Sequence, residues 1–80
     1  MYRGVASGDY DSYTSVGYYM VAGGMTANKP DNSGSNYGYL MVYGFGDNGI
    51  TMQMYMATSS RAFIRGYAGN PAYWSAWKEL

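Results

Sequence analysis

Eighty residues with five basic and five acidic side chains, no histidine and no cysteine make one domain, 1–80, near the lower limit for a self-sufficient core. The missing cysteine and histidine exclude a disulfide framework and a structural zinc site, and remove the commonest general base. The basic residues Arg3, Lys29, Arg61, Arg65 and Lys78 are scattered, so a phosphate-backbone footprint, and with it a nucleic-acid partner, is not expected.

In chain order, Met1-Tyr2-Arg3-Gly4 leads into no apolar h-region, and no apolar run approaches membrane-spanning length; neither a signal peptide nor membrane insertion is expected. Asp9 to Tyr13 reads as one helical turn or an irregular stretch. Gly17 to Ala22 (GYYMVA) is a short apolar strand bounded by glycines. The polar segment Gly23 to Tyr37 reads as a loop long enough to be functional. Gly38 to Phe45 (GYLMVYGF) is a strand with Tyr39, Met41 and Tyr43 on one face and Leu40 and Val42 on the other. Asp47-Asn48-Gly49 supplies the Asn-Gly pair of a tight hairpin.

Ile50 to Ala57 (ITMQMYMA) alternates most clearly, placing Ile50, Met52, Met54 and Met56 opposite Thr51, Gln53 and Tyr55. The methionine stripe is read as core or subunit interface, with an adaptable binding surface as the alternative. Thr58 to Arg61 and Gly69-Asn70-Pro71 are short connections to two further strands, Ala62 to Tyr67 and Trp74 to Leu80. The last three strands form an antiparallel meander that places Gln53, Arg65 and Trp77 in one row, the guanidinium on the indole. The fold class is therefore all-β: a small antiparallel sheet or sandwich built around a C-terminal meander. An 80-residue domain without disulfide or metal favours oligomerisation.

Sites for chemistry are few. Gly44-Phe45-Gly46-Asp47-Asn48-Gly49 matches G-x-G-x-x-G, but a strand follows where a dinucleotide site needs a helix, so no cofactor is expected. Asp9-x-Asp11 and Asp31-Asn32 lack the further acidic ligands of a calcium loop and read as solvated turns. No histidine backs a nucleophile and no carboxylate pair converges, so the chain is not expected to be an enzyme. Eleven tyrosines suit strands, and also contacts to sugars or proteins.

The strand opening Gly38-Tyr39-Leu40, the central Gln53 and Arg65, and the closing Trp74-Ser75-Ala76-Trp77-Lys78 together resemble the knob domain of R-type pyocin fibres and related phage tail fibres. Asp9-Tyr10-Asp11, Gly17-Tyr18-Tyr19 and Asn28-Lys29-Pro30 are similar to that domain's first half, so the resemblance covers nearly the whole chain. It departs at the third strand, where methionine replaces the family's aliphatic or aromatic residues. The resemblance implies a homotrimeric tail-fibre module of a virion or prophage-derived particle, acting outside a bacterial cell and attaching to surface polysaccharide. Within it Gln53, Arg65, Trp74 and Trp77 are the structural signature, and Asn32, Tyr37, Tyr39 and Tyr55 the candidate ligand contacts. Two readings stay open: a carbohydrate-binding tip, or a trimerisation spacer without receptor contact.

Overall fold

The alternation along the chain becomes one curled sheet in the computed structural model, which describes residues 1–30, 33–45 and 50–80. Among the described residues seven strands follow in order: β1 Tyr2–Asp9, β2 Gly17–Ala27, β3 Tyr37–Phe45, β4 Ile50–Ala57, β5 Ala62–Gly69, β6 Ala72–Trp74 and β7 Lys78–Glu79. Their spatial order is β1-β2-β3-β4-β5-β6, with β7 also paired to β5. All pairs are antiparallel except β1 with β2. The all-β class holds, as a single sheet closed over one core rather than a sandwich. The Asn48-Gly49 turn lies outside the described residues.

Register sorts the side chains cleanly. Tyr19, Leu40, Tyr55 and Phe63 line up across four strands and are all buried. With Val21, Val42, Ala57, Ala6, Met25 and Tyr10 they form the core on the inner face. The neighbouring row, Tyr18, Met41, Met54 and Ile64, points outward. Of the two readings of the methionine stripe, core or subunit interface, the core reading is corrected: Ile50, Met52 and Met56 are exposed, while Thr51, Gln53 and Tyr55 are inside.

Two other expectations change. The segment 23–27 is strand rather than loop, because Gly8 and Asp9 pair with Met25 and Ala27; β1 supplies ladder partners that its own sequence does not announce. Trp74 to Leu80 is not one strand. It splits into β6 and β7, with 75–77 arching between them. The 3-10 turn Tyr10–Ser12 belongs to a short return path from β1 to β2. A parallel pair ordinarily needs a crossover of a dozen or more residues; here residues 10–16 suffice. They press onto the inner face, burying the Tyr10 ring.

Candidate functional site

A polar group on the inner face must find its partners there. Gln53, fully buried, donates through Nε2 to the carbonyls of Tyr10 at 2.7 Å and Tyr13 at 2.8 Å. The backbone of the return path, which joins no ladder at those points, is thereby satisfied from the sheet. Gln53 also stands opposite Arg65 in the β4–β5 register and its Oε1 accepts from Arg65 Nε at 2.9 Å. Arg65 in turn donates through Nη2 to Asp11 Oδ1 at 2.8 Å.

The guanidinium carbon of Arg65 lies 4.0 Å from the Trp74 ring centre and 4.7 Å from that of Trp77. Both indoles are thus gathered on one cation, a contact that gains strength where water is kept out. Burial lowers the Arg65 pKa below its usual value, against the Asp11 hydrogen bond and charge, which raise it. Trp77 is fixed further: its Nε1 donates to the Asn28 carbonyl at 2.8 Å, and its ring meets Tyr10 edge-on at 5.5 Å. Trp74 rests against Tyr67 at 4.9 Å. The terminal arch is held by ring contacts and by Ser75, whose hydroxyl accepts from Gly66 N–H at 3.0 Å.

Over this cradle opens a cleft of ≈ 590 Å³ lined by Asp11, Asn28, Lys29, Arg61, Phe63, Arg65, Trp74, Ser75, Ala76, Trp77 and Glu79. Its volume falls within the range of small-molecule sites, about 300–1,000 Å³. Asn28 Nδ2 donates to Asp9 Oδ1 at 2.8 Å and Asp11 Oδ2 at 3.2 Å. The Asn28 amide holds the Asp9 carboxyl below its ordinary 3.8, helped by the Asp11 N–H. Across the cleft Arg61 Nε donates to Glu79 Oε2 at 2.8 Å, and that guanidinium keeps the Glu79 carboxyl below its usual 4.5. Among the described residues no group of three or more acidic, histidine or cysteine side chains could hold a metal ion.

The candidate ligand contacts do not converge. Tyr37 and Tyr39 are exposed on the outer face, Asn32 lies outside the described residues, and Tyr55 is buried with its hydroxyl donating to the Ser35 carbonyl at 2.8 Å. Tyr55 is corrected to a core residue, because β4 turns Gln53 and Tyr55 inward together. Gln53, Arg65, Trp74 and Trp77 do meet, in the cradle. Arg61, Phe63 and Glu79 were not legible as site residues; only the pairing of β7 with β5, Phe63 opposite Glu79, brings them there.

The outer face is the second surface of note. Between Tyr18 and Ala22, Tyr37 and Tyr43, Ile50 and Met56, and Ala62 and Ala68, its alternate positions carry only Tyr, Met, Ile, Ala and Gly. Tyr18, Tyr39, Tyr43, Ile50 and Met56 are 39–54% exposed there. Comparison with family models, with curated proteins and with solved structures returns no match for this chain.

Proposed function

We propose that this chain is an assembling module of a phage or tailocin tail fibre, taking part in attachment to bacterial surface polysaccharide. The observation that carries the reading is the outer sheet face, four strands wide without one charged, hydroxyl-aliphatic or amide side chain. Contiguous apolar surface of this kind marks an interaction site, and tyrosine with methionine is the composition of interface cores. The occupant is a second and third copy of the same chain, each presenting the same face around a threefold axis. The resemblance of the Arg65 and Trp74-Ser75-Ala76-Trp77 signature to fibre knob domains supports the same assembly.

The experiment is light scattering on the chain fused behind a trimeric coiled coil, and on the chain alone across a concentration series. Met54→Glu places a charge in the middle of the outer row. The expected result is a knob that associates in the parent and comes apart in the variant, with an unchanged circular dichroism spectrum. Identical behaviour of parent and Met54→Glu overturns the assembly reading. Attachment is checked separately, by binding of the fused trimer to bacterial cells with and without their surface polysaccharide.

A further inference from the structure

We propose that the cleft between the terminal arch and β5 is the saccharide site of this module, and that the saccharide it takes is uncharged. This rests on the attachment reading above and moves the contact from the tyrosines of the outer face to the opposite side of the sheet.

Three features carry it. First, the cleft has aromatic walls: Trp74 and Trp77 are half-buried, so part of each ring is open to the cleft while the rest is anchored on Arg65, Tyr67 and Tyr10. A pyranose presents an apolar C–H face that lies flat on such a ring. Because the rings are already fixed, little ordering entropy is lost on binding.

Second, two of the three cations that line the cleft are already matched, and the third, Lys29, is exposed at its rim. Asp11 pairs with Arg65 and Glu79 with Arg61. An incoming carboxylate would face Asp11 and Glu79, and an incoming cation would face Lys29, Arg61 and Arg65. A hydroxyl, which donates and accepts at once, meets carboxylate and guanidinium edges equally well.

Third, the polar groups are partly open to solvent where a ligand would reach them. The side chains of Arg61 and Glu79 are 38% and 43% exposed, and that of Asp11 40%, while Arg65 beneath is 4% exposed. Polar rim over aromatic walls is the arrangement that orients a ligand by a few hydrogen bonds.

Both tryptophans of the chain line this cleft, so indole emission reports on it alone. The full chain is titrated with a panel of neutral hexose and N-acetylhexosamine trisaccharides and with matched uronic acid trisaccharides, at low and high salt. Expected are a saturable emission change with at least one neutral member and an affinity that salt leaves within about twofold, since no charge is neutralised on binding. Ala76→Phe fills the cleft from an exposed position and is expected to weaken binding at least about tenfold. Glu79→Gln keeps the shape, removes one acceptor charge, and is expected to weaken it by about three- to tenfold.

No response from any neutral member overturns the proposal. So does parental affinity in Ala76→Phe, or tighter, salt-sensitive binding of the uronic acids. A parent chain that associates but binds no neutral saccharide retires this inference alone. Lost association leaves the titration readable.

Discussion

At the residue scale the molecule turns on Gln53 and Arg65. Each carries more than one role: Gln53 satisfies two carbonyls of the return path and one guanidinium N–H, and Arg65 joins Gln53, Asp11 and both indoles. Gln53→Leu conserves volume but strands these buried groups, and should lower the unfolding free energy by about 3 kcal/mol, read from the urea midpoint. Trp77→Phe keeps an aromatic against Tyr10 and loses the bond to the Asn28 carbonyl. A cost of about 1–2 kcal/mol is expected in the same assay. Two titrations also belong here. The Glu79 carboxyl is lowered by Arg61, so its contribution is complete above its unfolded value of 4.5 and is lost as pH falls through the lower folded value. Glu79→Gln should therefore flatten part of the acid limb of the stability profile. Burial raises the Tyr10 hydroxyl above its usual 10.0, with the neighbouring Tyr55 adding to it. The fold disfavours the phenolate, so stability is full below 10.0 and falls as pH rises beyond it. Tyr10→Phe should blunt that alkaline loss.

At the element scale, β3 and β4 approach so closely that a side chain is barred at Gly38. A Cβ there would run into the Met56 carbonyl oxygen, with Ala57 directly opposite in the register. Gly38→Ala must push the strands apart and should cost about 1–3 kcal/mol by thermal unfolding. The sequence of β3 and β4 announces both elements, since their alternation is strict over eight or nine residues. β1 is less legible because it is bulged, with register shifts along its length and positive φ at Gly4 and Gly8. A bulge breaks period-two patterning by inserting a residue. The terminal arch was hidden for another reason: its rings and the bonds between Ser75 and Gly66, not a continuous ladder, hold residues 75–77, so no periodicity records them.

At the scale of the whole molecule, the single chain is as compact as a folded monomer of its size. Its accessible surface is 4790 Å², close to the ~4,800 Å² that the size scaling gives for a folded monomer of 8.8 kDa. On the proposed assembly, the outer face is the surface that association covers. A dilute sample of Met54→Glu should remain folded, with a cooperative melt like that of the parent at the same dilution. Loss of the melt in the variant would show instead that the outer face is needed for the fold itself.

The amino-acid sequence by itself determined that the chain is strands, where the central ones lie, and that Gln53 stands beside Arg65, because period-two alternation and turn residues are local properties; the arch that carries Trp77 to them follows no such period. It left open which side of β4 is the inside. By composition the Ile50, Met52, Met54 and Met56 face is the more apolar, and Thr51, Gln53 and Tyr55 the more polar. The tertiary structure decides for the polar face. The donors and acceptors that let Gln53 and Arg65 be buried come from Tyr10, Asp11 and Tyr13, some forty or more positions away in sequence. Only when the return path lies on the sheet are those groups satisfied, and the methionines are then left on the outside.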